Sequence, residues 1–386
     1  MVIPKLRFKE FTDEWNKKKL GEISESISYG MNSAATEFDG KNKYIRITDI
    51  DENSSTFNQK NLVSPLKKLE DKFLVKNNDI LFARTGASTG KTYLYNENDG
   101  ILYYAGFLIK ASINKEFNSR FIFEQFNLKK YSDWIKLMSM RSGQPGINAN
   151  EYASYELSLT TKLEQDKISG MLELLNKKIE LQSKKIEVLK LYKKCLLHLL
   201  FAGEGKKNIL NDICDFINGK GHESFIDEDG KYILVNSKFI STNGNVFKKT
   251  NKSLSPLKKD SITMVMSDLP NGKTLAKCFY IEEDNKYTLN QRVCSLFVKD
   301  KKVIDSKFLF YLLDRNKNYL KFDDGVNQTN LKKEDVLDIV IRIPKLSYQI
   351  DVANILITLD RLVRYEQNKN DVILLLKKGL MQSMFV

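Results

Sequence analysis

The sequence predicts an α+β protein with an internal repeat, in which two similar β-rich α/β domains are separated by two long helices. Three observations support this fold class. The second half of the chain aligns with the first, each half ends in a long heptad pattern, and short strand-like segments fill the remainder. We expect a pseudo-twofold relation between the two copies, with the long helices paired as an antiparallel coiled coil.

The repeat has a period of 184 residues. Residues 143–201 align with 327–385 without a gap, and eleven of these 59 pairs are identical, including Gln165 with Gln349. A unit of this length is the size of a domain and is too long for a solenoid repeat. We therefore expect four segments, with domains at residues 1–160 and 204–343 and long helices at 161–203 and 344–386.

Apolar residues recur at alternating spacings of four and three along both helical segments, which predicts coiled-coil seams. The first seam begins at Ile168 and the second at Val352. Helices of about 38 residues would extend roughly 57 Å at 1.5 Å per residue. The polar residues Gln182 and Glu366 occupy seam positions near the two midpoints. We expect these two side chains to lie close together in the antiparallel pair.

Short apolar segments between Gly, Asn and Ser residues predict the strands of the globular parts. Segments of this kind lie at 44–47, 80–83, 157–159, 232–235 and 262–266. Matching amphipathic helices are expected in the two copies, at 117–130 and 305–318. Each domain should therefore be mixed and rich in β-structure.

The charge balance favours a polyanionic partner. The 386 residues include 62 Lys and Arg against 49 Asp and Glu, which gives a net charge of +13. Nucleic acid is the first candidate for such a partner and an anionic membrane surface the second, although a merely Lys-rich protein has the same composition. The N-terminus has no signal-peptide core, and no run reaches the roughly 18 apolar residues of a membrane span. We therefore expect a cytoplasmic protein without a membrane partner.

No cysteine or histidine spacing predicts a metal site or a catalytic pair. The four cysteines form no C-x-x-C motif, and His198 and His222 are far apart in sequence. Unpaired cysteines in a chain of this size fit a reducing compartment. We expect no bound metal and expect both histidines to be structural or exposed.

One glycine-rich segment resembles a phosphate-binding loop but lacks its spacing. Three residues separate Gly86 from Gly90 where the P-loop has four, and the following segment 93–95 predicts a strand instead of a helix. The chain also lacks the Asn/Asp-Pro-Pro-aromatic tetrapeptide of adenine methyltransferases. We therefore expect no catalytic activity in this chain, and a turn that displays small polar and basic side chains at residues 86–91.

Polar and basic residues cluster in the predicted loops, and their types suit DNA contacts. Arg reads guanine, Asn and Gln read adenine, and Ser and Thr contact phosphates or bases. The candidate DNA-binding residues of the first copy are Arg46, Thr48, Arg84, Thr85, Ser88, Thr89, Lys91, Arg141, Gln144 and Asn148. Those of the second copy are Asn236, Lys238, Ser267, Asn271, Lys273, Gln291, Arg292, Asn327 and Gln328. Because the copies differ in these loops, the two domains are expected to read different sequences.

Over its full length the chain resembles the specificity (S) subunits of type I restriction-modification enzymes. Three segments carry the resemblance, namely PKLRF…FTDEW…KLGEI at 4–23, ILFARTGASTGK at 80–91 and LEQDKI at 163–168. In the second copy the segment YQIDV at 348–352 corresponds to the third of these. The loop 268–271 differs in sequence from the corresponding segment 87–89 of the first copy. The segment 202–208 opens the second copy and has no Trp to match Trp15, which is in the segment that opens the first copy.

The resemblance implies two target recognition domains, each reading half of a bipartite, asymmetric site in double-stranded DNA. It also implies that the helices dock two modification subunits, which hold S-adenosylmethionine and methylate adenine. Two motor-nuclease subunits that use ATP and Mg²⁺ would complete the restriction complex, so no cofactor is expected in this chain. Two alternatives stay open: a coiled-coil scaffold that binds protein instead of DNA, and a self-sufficient nuclease, which the missing catalytic motifs disfavour.

Overall fold

The computed structural model describes residues 3–52, 54–140, 145–201 and 205–386. The chain divides into two compact units, one formed by Met1–Ser183 with Asn368–Val386 and the other by Lys184–Gln367. Each unit contains a globular part and one half of each long helix. The division falls in the middle of the helices because each half-helix packs against the globular part of its own unit.

The first unit is built around a four-stranded antiparallel sheet. Its strands are β1 (Asn16–Lys19), β2 (Ser24–Tyr29), β3 (Ala35–Glu37), β4 (Lys43–Ile45), β5 (Val63–Pro65), β6 (Asp79–Ala83), β7 (Thr92–Leu94), β8 (Leu102–Tyr104), β9 (Leu108–Ile113) and β10 (Glu156–Leu159). Its helices are α1 (Ser119–Gln125), α2 (Lys129–Met138), α3 (Ala149–Ala153) and the first part of α4 (Lys162–Leu200). The sheet has the order β2-β9-β6-β7, while β4 pairs in parallel with β8, and β1 pairs with β10.

The second unit repeats this topology. Its strands are β11 (Lys206–Ile209), β12 (Cys214–Asn218), β13 (Tyr232–Val235), β14 (Lys248–Thr250), β15 (Ile262–Val265), β16 (Ser267–Asp268), β17 (Cys278–Tyr280), β18 (Tyr287–Leu289), β19 (Val293–Val298), β20 (Thr329–Asn330) and β21 (Val340–Ile343). Its helices are α5 (Leu210–Ile213), α6 (Ser237–Ser241), α7 (Ser306–Leu313), α8 (Lys317–Leu320), α9 (Lys333–Leu337) and the first part of α10 (Leu346–Met384). The sheet β12-β19-β15-β17, the parallel pair β13-β18 and the pair β11-β21 match their counterparts in the first unit. The α+β class and the internal repeat are thus confirmed.

The predicted strands are present, but each predicted domain helix is interrupted. The segment expected at 117–130 forms α1 and the start of α2, and the segment expected at 305–318 forms α7 and the start of α8. In the second copy Arg315 has a left-handed backbone with φ of 54°, which ends the α-helical path. Asn316 then caps α8 by accepting a hydrogen bond from the Asn318 backbone N–H.

The long helices α4 and α10 each have 39 residues, and every residue of the two predicted seams is buried or half-buried. Within the second unit, Lys185 pairs with Glu366 and Lys193 pairs with Asp360. From the first pair to the second, the residue number increases along α4 and decreases along α10. The helices therefore run antiparallel, as predicted. Gln182 and Glu366 are both buried. They belong to different units, and their proximity stays a prediction.

Two identical residue pairs of the repeat join the long helices to the globular parts. Gln165 and Gln349 are fully buried, and their side-chain oxygens accept the backbone N–H groups of Asn118 and Asp305 at 2.9 and 2.8 Å. Asn118 and Asp305 are the N-cap residues of α1 and α7. The glutamine amide groups also donate to the backbone just before each long helix. Each glutamine therefore fixes the start of a long helix against a domain helix.

The ends of the long helices complete the two hydrophobic cores by an aromatic contact that is also repeated. The ring of Phe385 lies 5.1 Å from that of Phe121, and the ring of Phe201 lies 5.1 Å from that of Phe308. In the first unit Trp15 packs edge-on against Phe121 at 5.5 Å. The identity of residues 201 and 385 in the sequence repeat thus reflects an equivalent packing role.

Candidate nucleic-acid interface

Two loops of the first unit join into one surface at the end of β6. Thr85 forms a β-bridge with Gly146, and the Gly86 N–H donates to the Pro145 carbonyl at 2.9 Å. The backbone of Arg84 accepts the Ile147 N–H at 3.0 Å. Candidate residues of the loops 84–91 and 145–148 are thereby brought together although they are about sixty positions apart in sequence.

Arg84 lies next to two aromatic rings. Its Nε donates to the Gly106 carbonyl at 2.9 Å, and its Cζ lies 5.1 Å from the ring centre of Tyr29 and 6.0 Å from that of Phe107. Within the described part of the chain, its two Nη groups have no hydrogen-bond partner. The guanidinium is therefore fixed in orientation by its inner nitrogen and its faces, while the nitrogens that suit a two-pronged base contact remain available.

Tyr29 and Phe107 were not among the residues predicted from sequence. Both are exposed, at 45% and 57% of their surface, and each is held by a hydrogen bond to another segment of the chain. The Phe107 carbonyl accepts the Arg84 N–H at 3.0 Å, and the Tyr29 hydroxyl accepts the Ala149 N–H at 3.1 Å. An aromatic residue next to a glycine, as in Tyr29-Gly30 and Gly106-Phe107, is the local signal, but only the fold brings the two rings to Arg84.

The glycine-rich segment forms a short turn and not a phosphate-binding loop. Residues Gly86–Ser88 make one 3₁₀ turn, and β7 follows where a P-loop would begin a helix. The Thr89 hydroxyl donates to the Gly86 carbonyl at 2.7 Å, and Ser88 is half-buried. Lys91 lies beside the turn, with its Nζ 3.8 Å from the exposed carboxylate of Glu52. The prediction of a turn is confirmed.

Several other candidates of the first copy already have protein partners. Arg46 binds Asp49 through two hydrogen bonds of 2.8 Å, and the neighbouring Thr48 is exposed. The side-chain oxygen of Asn148 caps α3 by accepting the Glu151 N–H. Arg141 and Gln144 lie outside the described residues.

In the second unit, the loop after β15 is organised by Asp268. Burial raises the pKa of this carboxyl group, but hydrogen bonds from Thr274, Leu269 and Leu275 outweigh it and hold the pKa below its usual value. The charged Asp268 thus fixes a tight loop that displays the exposed Lys273.

A second loop runs beside this one, since β16 pairs with β20. Gln328 donates its amide N–H to the buried hydroxyl of Ser267 at 2.7 Å, and Asn327 donates to Asp324 at 3.0 Å. Asn271, with φ of 54°, donates to the Gly325 carbonyl at 3.2 Å. The structure therefore brings together the candidates from the segments 267–273 and 327–328.

The remaining candidates of the second copy lie directly after β13 and directly before β19. Asn236 caps α6, and Lys238 in its first turn is exposed. Gln291 donates to Glu223 at 2.8 Å. Arg292 is exposed and has φ of 66°. DNA contact stays a prediction for each of the nineteen candidate residues.

A separate surface lies along the long helices. The positions of the heptad repeat are lettered a to g, and the a and d positions form the seam. The e residues Asn176 and Asp360 face the globular parts, because Asn176 is hydrogen-bonded to Glu124 of α1 and Asp360 to Tyr311 of α7. The c and g positions lie on the other side of the seam. They carry ten exposed apolar residues: Leu174, Leu181, Val372 and Leu376 in the first unit, and Val188, Tyr192, Leu199, Ile355, Leu362 and Tyr365 in the second.

These ten residues, here named the c/g faces, form one apolar side in each unit. In an antiparallel pair the g positions of one helix flank the g positions of the other, so both helices of a unit contribute to the same side. Val188 and Val372 are equivalent in the repeat, as are Tyr192 and Leu376. Exposed apolar patches of this kind commonly mark interaction sites.

The two histidines lie in different environments of the second unit. His222 is buried, where its Nε2 lies 3.0 Å from the Thr288 hydroxyl and its Nδ1 lies 2.6 Å from the Lys220 carbonyl oxygen. His198 is exposed on α4. Among residues 3–52, 54–140, 145–201 and 205–386, no group of three His, Cys, Asp or Glu residues is placed to hold a metal ion. None of the helices described is long and apolar enough to cross a membrane.

Known proteins share this architecture over the full chain. The specificity subunit of the type I restriction enzyme MjaVIII of Methanocaldococcus jannaschii is 23% identical over 404 aligned positions, covering 96% of this chain and 91% of that protein. The crystal structure of the S subunit of the type I restriction-modification system from M. genitalium has a TM-score of 0.65 at 17% identity, covering 100% of this chain and 99% of that one.

A further structure, from a study of complex assembly and conformational transition of the type I restriction-modification system, has a TM-score of 0.57 at 15% identity. It covers 96% of this chain and 97% of that one. The sequence profile of the type I restriction modification DNA specificity domain matches the chain twice, at residues 12–191 and 206–375. The chain therefore belongs to the family of type I restriction-modification specificity subunits and contains two copies of the family's DNA specificity domain.

Proposed function

We propose that this chain reads a bipartite, asymmetric site in double-stranded DNA, one half with each domain, as the non-catalytic subunit of a cytoplasmic restriction-modification complex. The observation that carries the proposal is the presence of two units with the same sheet topology and different side chains on equivalent loops. The shared topology gives two similar docking surfaces. Different loop side chains then select different bases in each half.

The chemistry of the loop surfaces supports DNA as the ligand. The net charge of +13 suits a polyanion, and the second unit has exposed basic residues at Lys238 in α6 and at Lys273 and Arg292 in loops. In the first unit Arg84 has its orientation fixed and its Nη groups unoccupied by described residues. A side chain held in this way loses little conformational freedom when it binds a base.

The c/g faces support docking of two modification subunits. Each unit carries one such face, and the two faces use equivalent positions, such as Val188 with Val372 and Tyr192 with Leu376. Two similar apolar faces on one chain fit two copies of one partner. In this proposal S-adenosylmethionine is held by the modification subunits, and ATP and Mg²⁺ are used by two motor-nuclease subunits that join the complex.

Domain exchange tests the bipartite reading. Residues 20–155 are replaced by the corresponding segment of another family member, and the methylated sites are mapped by sequencing in cells that carry the cognate modification subunit. One half-site should change while the other is retained, because the second domain is untouched. A change in both half-sites, or in neither, would contradict the hypothesis that each domain recognises one half-site independently.

Charge substitutions on the c/g faces test subunit docking. Tyr192→Asp should remove one modification subunit, Leu376→Asp should remove the other, and the double variant should bind neither. Lys194→Asp is the matched control, since it places a carboxylate at an exposed b position of the same helix. Native mass spectrometry of the purified complexes gives the stoichiometry directly. Two bound subunits in every variant would place the docking surface elsewhere.

The scaffold alternative makes a different prediction for the same complex. A protein-binding scaffold would assemble with its partner but would shift specific and random duplexes equally. A sequence-specific, salt-dependent mobility shift of duplex DNA by the modification–specificity complex would support DNA recognition over the scaffold hypothesis. Absence of any sequence preference in that assay, with the methyltransferase intact, would favour the scaffold.

A further inference from the structure

The two units place different side chains at one equivalent point of their recognition loops. In the first unit the Arg84 N–H donates to the Phe107 carbonyl at 3.0 Å, and the Arg84 carbonyl accepts the Ile147 N–H at 3.0 Å. In the second unit the Met266 N–H donates to the Arg292 carbonyl at 3.0 Å, and the Met266 carbonyl accepts the Leu331 N–H at 2.8 Å. This bonding pattern makes Met266 the counterpart of Arg84, and Arg292 the counterpart of Phe107.

The basic and apolar groups are therefore exchanged between the two copies. The first unit has its arginine on the loop after β6 and a phenylalanine before β9, whereas the second has a methionine after β15 and its arginine before β19. Phe107 directly precedes β9 and Arg292 directly precedes β19, and both residues are exposed. A change of side-chain class at a fixed backbone position is what a base-reading position requires.

Phe107 is anchored in a way that suits contact with a partner. Gly106 and Phe107 both use their carbonyl groups to bind Arg84, so the backbone of this turn is fixed while 57% of the phenylalanine surface stays in water. One side of the ring faces the Arg84 guanidinium at 6.0 Å. The exposed remainder is apolar and lies beside a group that suits guanine in the major groove.

We propose, on the basis of the proposed DNA-reading function, that Phe107 is a specificity-determining residue that packs on the 5-methyl group of a thymine in the first half-site. In the major groove the thymine methyl is the base group that an apolar side chain recognises, and phenylalanine is one of the residues that contacts it. The arginine beside it directs the ring to the major groove, because the two-pronged guanine contact exists only there. Arg292 gives the second domain a polar contact at the equivalent point.

Single-atom changes in the DNA test this contact. Duplexes containing the methylated site, identified by sequencing, are prepared with each thymine replaced in turn by deoxyuridine, which lacks only the methyl group. Their affinity for the modification–specificity complex is measured by fluorescence anisotropy. One replacement should weaken wild-type binding about fourfold, the value expected for burying one methyl group. Phe107→Ala should bind that thymine and deoxyuridine duplex equally well, whereas Phe107→Leu should still distinguish them.

The matched control is Arg292→Ala, which should leave the thymine-to-deoxyuridine ratio at that position unchanged. Retention of the other bases of the first half-site in the methylation pattern shows that the domain carrying Phe107→Ala is folded. If no deoxyuridine weakens wild-type binding, or if the ratio is the same in Phe107→Ala, the inference is wrong. A rise in 2-aminopurine fluorescence beside the site that depends on Phe107 would also overturn it, because the ring would then be a wedge between bases. Loss of all sequence preference in the wild-type complex would instead refute the proposed function itself.

Discussion

Replacing Arg84 should weaken binding to the specific site far more than binding to random DNA. Its Nε bond to Gly106 and its position beside Tyr29 and Phe107 leave the two Nη groups as the atoms that can reach a base. A two-pronged contact to guanine contributes about 1–3 kcal/mol of discrimination, so Arg84→Ala should lower specific affinity by about 5- to 150-fold. Arg84→Lys keeps the positive charge but lacks the two parallel N–H donors of a guanidinium, so it should lose most of the same discrimination between specific and random DNA.

The assay compares specific and random duplexes over a range of salt concentrations, with the modification–specificity complex. A base contact lowers specific affinity and leaves the salt dependence on random DNA unchanged. Arg120→Ala is the matched control, because it removes a half-buried arginine from α1, which is not part of the loops 84–91 and 145–148. The lost Nε bond contributes about 0.5–1.5 kcal/mol to folding, so thermal unfolding is measured in parallel. Equal losses on both duplexes, with a salt slope reduced by about one, would assign Arg84 to a phosphate and refute the reasoning.

Two further predictions concern the attachment of the long helices. Arg7 forms a two-pronged pair with the fully buried Glu164, so Arg7→Ala should cost about 3–5 kcal/mol because the buried carboxylate loses its positively charged partner and keeps only the Thr160 hydroxyl. The double change of both residues to Met should cost less in denaturant unfolding. A smaller loss for the single change than for the double would contradict this. Gln165→Ala and Gln349→Ala should each cost about 1–3 kcal/mol, since each leaves a backbone N–H unpaired, and equal unfolding of variants and wild type would show that water replaces the bond.

The long helices and the repeat were predictable because their signals are local or repeated. A seam spacing of four and three predicts that the two helices pair, and the pseudo-twofold expected from the repeat favours an antiparallel pair, in which Lys193 can meet Asp360. The identity of Gln165 with Gln349 was visible in the sequence, but its reason was not. Each glutamine contacts a cap residue more than forty positions away, Asn118 or Asp305, and only the folded chain shows that contact.

The recognition surface was less predictable because its members come from distant segments. Residue type indicated Arg84, but Tyr29 and Phe107 look like core aromatics in the sequence. They are exposed because each lies at a strand end where the chain turns at a glycine, as at Gly30 and Gly106. Residue type alone also selects side chains that have structural partners, as Arg46 has in Asp49. Residue types in the sequence therefore predict which loops are candidates for binding more reliably than they predict which atoms reach the ligand.

The length of the paired helices should set the length of the unread spacer in the DNA site. In the proposed function each domain reads one half-site, so lengthening both α4 and α10 moves the reading surfaces without changing them. Seven residues inserted into the middle of each helix preserve the a and d seam and add about 10 Å at 1.5 Å per residue. At ~3.4 Å per base pair, the methylated site should gain up to about three spacer base pairs and keep both half-sites. The same insertion in α4 alone should destabilise the complex, because it leaves one heptad without a partner. An unchanged spacer in the doubly lengthened protein, or altered bases in either half-site, would show that the helices do not set the spacing.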